Sequence, residues 1–333
     1  MDRVKLGMIG AGIHATNMLY PSVVLVDDLI DRVAVCDLDE SKARKAAKDF
    51  GFQRIYTDYR EMLERENLDA VIICIGARQH PPVIKDCLKA GLDVMVEKPA
   101  ALTPDEAYEL AELAETLGKY IFVDHQKRHG TPYVKAKEII NERFTNGISM
   151  IETKMHGRPY ETLFNCLMEW QIHNIDLVRF FADDEEITYI KAIQNRISDT
   201  RAAIAVLLQF KSGVIATLNW GTEGGYGTFC ERLEVIEKGG AQGIIVENAW
   251  KMIYYNLNCS ETWEPDWQPI RRNSTYVVYG YEPGIREFAQ CVIRRDHVPK
   301  PTMKDEAKAL EVIYEVANQL NIPKDWRPVL CER

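Results

Sequence analysis

A short apolar run, Val4-Lys5-Leu6-Gly7-Met8-Ile9, breaks at Gly10-Ala11-Gly12-Ile13-His14-Ala15. The run has the length of a buried parallel strand. The spacing after it, Gly10-x-Gly12-x-x-Ala15, fits the G-x-G-x-x-G/A dinucleotide fingerprint. No other stretch narrows the possible folds as much. Gly10 permits the tight turn out of the strand, and Gly12, lacking a Cβ, lets a pyrophosphate approach the backbone. Ala15 lets the following helix lie close to the sheet. The first turn of that helix, with Ile13 and His14, offers N–H groups and the positive end of a dipole to phosphates. The next strand, 32–37, ends in Asp37, where a carboxylate binds the adenosine ribose hydroxyls. A carboxylate there repels a 2′-phosphate, so NAD is expected in preference to NADP.

From the fingerprint to residue 124, strand and helix patterns alternate. Expected strands are 53–56, 68–75, 92–96 and 119–123, with helices at 41–50, 59–65, 81–90 and 104–117 between them. Thr103-Pro104-Asp105-Glu106 reads as a capped helix start. Alternation of this kind means a parallel sheet covered on both faces, and ligands of such sheets bind at the carboxyl ends of the strands. Those ends carry Gly76 and His80, Glu97-Lys98-Pro99, and Asp124-His125-Gln126-Lys127-Arg128. Gly76, His80, Glu97, Lys98 and Gln126 are therefore cofactor-binding candidates, and Lys98 and Arg128 candidate substrate ligands. Lys98 is the sharpest of them, a lysine placed over the expected cofactor.

With 333 residues, a second domain is expected, and after residue 148 the pattern changes. Strands at 149–156, 187–195, 202–211, 214–220, 229–237, 243–248 and 252–256 follow one another with a single helical interruption, which suits a mostly antiparallel sheet. The interruption, Glu169-Trp170-Gln171-Ile172-His173-Asn174-Ile175-Asp176, has helical period. Its spacing predicts Glu169, His173 and Asp176 on one helix face, where a carboxylate can orient an imidazole and raise its basicity. Helices at 283–295 and 304–320 are expected to support the sheet. Trp263 and Trp267 are expected in a polar loop, 258–273.

A net charge of −9 disfavours a nucleic-acid binder, and no apolar run reaches membrane-spanning length. No signal-peptide pattern precedes the first strand. The eight cysteines are scattered without a C-x-x-C pair, as in a reduced, cytoplasmic protein. His125 and His129 are four apart but lack further convergent ligands, so no metal is expected.

Gly10-Ala11-Gly12-Ile13-His14-Ala15, Asp37, His80 and Glu97-Lys98-Pro99, in this order and spacing, resemble the glucose–fructose oxidoreductase/inositol dehydrogenase (Gfo/Idh/MocA) family. The resemblance implies an α/β fold: an N-terminal Rossmann domain with a parallel sheet, 1–124, then a C-terminal α/β domain built on a large, mostly antiparallel open sheet, 125–333. It also implies that the second domain binds substrate and joins subunits through that sheet, as a homodimer or homotetramer. The family pattern Asp-x-x-x-His-x-x-Asp falls on Glu169, His173 and Asp176, with Glu169 where the family has Asp. The implied activity is that of an NAD-dependent dehydrogenase acting on the CH–OH group of a sugar, polyol or related molecule. His173 would then be the proton acceptor, oriented by Glu169. Lys98 would be the hydrogen-bond donor to the substrate oxygen, and the two could exchange roles. The rival readings are a non-catalytic NAD(H)-sensing regulator of the same fold and an imine-reducing or redox-neutral member.

Overall fold

A computed structural model describes residues 2–222, 230–268 and 270–327. The chain forms two compact units. The described part of the first comprises 2–126 with Tyr281–Lys308, and that of the second Lys127–Gly280 with 309–327.

The first unit is a six-stranded parallel sheet in the order β3-β2-β1-β4-β5-β6. The strands are β1 (Val4–Ile9), β2 (Ile30–Cys36), β3 (Arg54–Tyr56), β4 (Ala70–Ile73), β5 (Asp93–Glu97) and β6 (Ile121–Asp124). Every residue of β4, β5 and β6 is buried, as expected of strands with both faces covered. The connecting helices begin and end on the expected signals. Thr103 caps Pro104–Leu117 by accepting the Glu106 amide, and Gly118 ends that helix in the left-handed region. Residues 301 and 302 return to the sheet beside β6, where the Val123 amide donates to the Pro301 carbonyl at 2.9 Å and Phe122 bridges Thr302. The helix Tyr281–Arg294 packs on β1 and β6. It carries no fingerprint of its own, but its apolar stripe of Ile285, Phe288, Ala289 and Val292 is buried.

The second unit is an eight-stranded sheet in the order β14-β13-β12-β11-β7-β10-β9-β8. Its strands are β7 (Ile148–His156), β8 (Ile187–Arg196), β9 (Ala202–Phe210), β10 (Ile215–Gly221), β11 (Cys230–Glu237), β12 (Gly243–Glu247), β13 (Lys251–Tyr255) and β14 (Ser260–Trp263). All neighbours are antiparallel except β7 and β10, which run parallel. Alternation along β9 buries Ala202, Ile204, Val206, Leu208 and Phe210 on one face. The other face presents Tyr189, Ile193 and Leu207 to solvent.

Two local expectations need correction. The segment expected as a polar loop contains β14, a polar edge strand paired with β13. Ser-Glu-Thr-Trp has no apolar alternation to reveal it, because only its backbone is used by the sheet. The expected helix at 169–181 starts earlier and is not uniform. Leu163–Cys166 is helical, Leu167–Gln171 is a π-helical turn, and Ile172–Phe181 is α-helix. The wide turn lies between Glu169 and His173, so the simple four-residue step of an α-helix does not apply there.

Candidate active site

The fingerprint is built as its residues demand. Gly10 has φ +103°, and a Cβ at that position would lie 2.0 Å from the Cys74 carbonyl oxygen. Only glycine fits both constraints. At Gly12 a Cβ would meet nothing within 4 Å. The chain itself therefore makes no steric demand for glycine at 12, and the open space lies where a phosphate approaches the backbone. Asp37 already braces the turn: its Oδ2 accepts the Ala11 amide at 2.7 Å and its Oδ1 the Asp39 amide at 2.9 Å. A carboxylate has about four acceptor sites, so capacity remains for hydroxyl groups. Open space at Gly12, helix-start amides and a half-buried carboxylate together suit a dinucleotide. Gly10, Gly12, Ile13, His14 and Asp37 are the residues that would hold it.

Behind the fingerprint, the carboxyl ends of β5 and β6 bring two acids together. Glu97 and Asp124 are register partners, and both are buried. The Glu97 Oε1 is 2.8 Å from His14 Nε2. Among the described residues, no N–H or O–H donor reaches either Asp124 oxygen, and the group facing it is the Glu97 carboxylate. Burial, then the Glu97 charge, hold Asp124 well above the usual carboxylate range, with Lys98 opposing weakly. Burial would raise Glu97 as well, but His14, Lys98 and a hydrogen bond from Asp124 hold it below its ordinary value. Of the two carboxyls, Asp124 is the one whose surroundings favour the protonated form, and Glu97 the one whose surroundings favour the charge. Asp124 stands at a strand end in the sequence, but its pairing with Glu97 depends on the β5–β6 register.

His80 is buried, and its Nδ1 lies 2.9 Å from the Pro99 carbonyl oxygen. It fastens the Lys98-Pro99 segment, whose peptide bond is cis. Glu306, unanticipated from sequence, grips the same region. Its Oε1 accepts the Ala100 amide at 3.0 Å, and its Oε2 is 2.6 Å from His125 Nε2. His125 is thereby held through its Nε2. Lys98 is half-buried, Gly76 precedes the turn Ala77–Gln79, and Gln126 is buried in the turn Gln126–His129.

In the second unit, Arg128 and Asp176, both expected to meet substrate, pair with each other. Arg128 Nε lies 2.9 and 2.8 Å from the two Asp176 oxygens, and its terminal nitrogens reach Asp184 at 2.8 and 3.0 Å. Burial would lower the Arg128 pKa, but the two carboxylates outweigh it and raise it. Lys127 is buried against Glu231, which also accepts the Tyr133 hydroxyl. Glu169 and His173 are half-buried, unlike the buried Asp176. Nearby in sequence, Trp170 donates to the Tyr160 hydroxyl, and a Cβ at Gly157 would touch the Trp170 ring. His156 is held below the ordinary imidazole value by burial and then by Lys154. Lys154 and Arg158 are exposed.

A doubly covered parallel sheet with a glycine turn, an acidic β2 end and a lysine after β5 defines a dinucleotide-binding protein. Residues 4–125 match the family model "Oxidoreductase family, NAD-binding Rossmann fold" (GFO_IDH_MocA). The chain is 27% identical over 257 residues to myo-inositol 2-dehydrogenase of Thermotoga maritima, covering 70% of this chain and 72% of that protein. It is 28% identical over 232 residues to D-apiose dehydrogenase of Paraburkholderia graminis, covering 66% of this chain and 60% of the relative. A dehydrogenase from Chromobacterium violaceum has the same fold, with TM-score 0.88 over 97% of this chain and 96% of that one, at 22% identity. Over residues 4–125 the chain matches the Gfo/Idh/MocA oxidoreductase family, and its similarity to the sequence relatives extends over about two thirds of it.

Proposed function

We propose that this protein is an NAD-dependent dehydrogenase that oxidises a hydroxyl of a sugar, polyol or sugar-derived molecule, or reduces the corresponding carbonyl. The observation that carries the reading is the rim of the first unit, where the fingerprint, Asp37 and Lys98 stand at the carboxyl ends of one sheet. The names of the sequence relatives favour a polyhydroxylated substrate. Asp37 and the fingerprint amides hold the dinucleotide, with NAD preferred because of the Asp37 charge. The nicotinamide, when bound, supplies the hydride acceptor. Lys98 and His173 divide the remaining work. Lys98 donates a hydrogen bond to the substrate oxygen and stabilises its developing negative charge, and His173 accepts the hydroxyl proton. Glu169 orients His173 and contributes a polar contact to substrate. Self-association through the sheet face bearing Tyr189, Ile193 and Leu207 belongs to the same reading.

Lys98→Met tests the assignment. Removing one positioned donor costs roughly 10²–10³-fold in turnover. NADH affinity, measured by fluorescence titration, should stay near that of the native chain. Turnover that survives the substitution removes Lys98 from the chemistry.

A further inference from the structure

Outside the rim, three side chains of different ligand type converge on one point of the first unit. Glu287 and Cys291 stand four apart on the helix Tyr281–Arg294, and His297 follows its end. The His297 Nε2 lies 3.0 Å from Cys291 Sγ and 2.9 Å from Glu287 Oε1. Sγ and Oε1 are 3.7 Å apart. The other ring nitrogen, Nδ1, is 2.6 Å from Asp296 Oδ1.

We propose that Glu287, Cys291 and His297 form a zinc site, with Asp296 as the carboxylate that orients the histidine. Zinc bonds of about 2.3 Å to sulfur and about 2.0–2.2 Å to nitrogen and oxygen give tetrahedral ligand separations of about 3.3–3.7 Å. Each separation here differs from that by about half an ångström or less. A metal-ligating histidine normally gives its second nitrogen to a carboxylate, and Asp296 stands in that place. The thiol selects a borderline-soft ion over magnesium or calcium. Glu287, which contacts the thiol and imidazole, and the nearby Asp296 make the locality negative, and Arg294 opposes them. Zinc takes the place of the thiol proton and any Nε2 proton, both released to solvent. His297 is partly exposed, so water completes the coordination.

The position implies a structural role. Arg295, next along the chain, donates to Asp93 at 2.9 Å. Asp93 begins β5 and Glu97 ends it, so this contact lies a strand length, about 13 Å, from the rim. The metal would clamp the turn that leads from the helix Tyr281–Arg294 back to the sheet at Thr302.

The test uses the full chain stripped by chelator, then dialysed against zinc, magnesium or cobalt. The expected result is one zinc per chain, no magnesium, a rise in melting temperature with zinc, and a sulfur-to-cobalt charge-transfer band. Cys291→Ser should lose that band. His297→Ala alters a half-exposed side chain and so preserves the fold, and it should lose the zinc. Asp296→Asn should weaken zinc binding about 10–100-fold while keeping the band. Native zinc uptake in both His297→Ala and Cys291→Ser, no saturable uptake in the native chain, or a cobalt complex without the sulfur band would overturn the site.

Discussion

The raised pKa of Asp124 beside Glu97 makes a quantitative prediction. In the unfolded chain Asp124 titrates near its ordinary value of about 3.9. In the folded chain it keeps its proton far above that value, because burial and the Glu97 charge oppose ionisation. A group whose folded pKa is raised stabilises the fold fully below the unfolded pKa and loses that contribution as pH rises toward the folded one. Between those limits the folded state binds one more proton than the unfolded state at this site. The Asp124 contribution to unfolding free energy therefore falls by about 1.4 kcal/mol per pH unit. Asp124→Asn keeps the shape and still donates a hydrogen bond to Glu97, but has nothing to titrate. Glu97 is held low, so it stays ionised from pH 5 upward in both proteins. The stability of Asp124→Asn relative to the native chain should then rise as pH increases from 5 toward the folded Asp124 pKa, at a limiting slope of about 1.4 kcal/mol per pH unit. Urea unfolding of both proteins at pH 5, 6 and 7 measures this difference directly. A difference that does not change with pH would show that Asp124 is ionised in the fold and refute its raised pKa.

Other consequences follow from the same contacts. Arg128→Met takes from buried Asp176 its guanidinium partner and leaves Asp184 the longer Arg179 contact at 3.8 Å; it should destabilise the protein by about 3–5 kcal/mol, measured by urea unfolding, and an effect below about 1 kcal/mol would contradict a buried ion-pair cluster. Asp37→Ser removes both the brace on the Ala11 amide and the ribose acceptor, and should weaken NAD much more than NADP in parallel titrations. Equal losses would leave the brace as its only role. Gly10→Ala sets a Cβ into the Cys74 carbonyl at a left-handed φ, so NADH binding should be lost together with several kcal/mol of stability, read by titration and by melting temperature.

Much of the fold was legible because its signals are local. The β1 run, the glycine turn, the Thr103 cap and the Gly118 stop each act over a few residues, and the described elements start and end close to where they point. β14 was hidden because a polar edge strand needs only backbone pairing. The π-helical turn at Leu167–Gln171 was hidden because apolar spacing reports an average period and not one inserted residue. The site was legible as a set of strand ends, since Gly76, Glu97-Lys98 and Asp124 follow apolar runs. What those side chains do to one another was not. The Glu97–Asp124 pair, the Arg128–Asp176–Asp184 cluster and the Glu306 grip on Ala100 and His125 join residues 27 to 206 positions apart, and register and tertiary packing decide them.

The central claim is hydride transfer at the Lys98 rim. Its most direct test is NADH formation by the purified chain with NAD, and NADPH formation with NADP, across polyols, aldoses and sugar acids, with Lys98→Met alongside. The account predicts turnover on at least one polyhydroxylated substrate, faster with NAD and reduced roughly 10²–10³-fold in the variant. NADH binding without turnover on any of them, or turnover indifferent to Lys98, would contradict it.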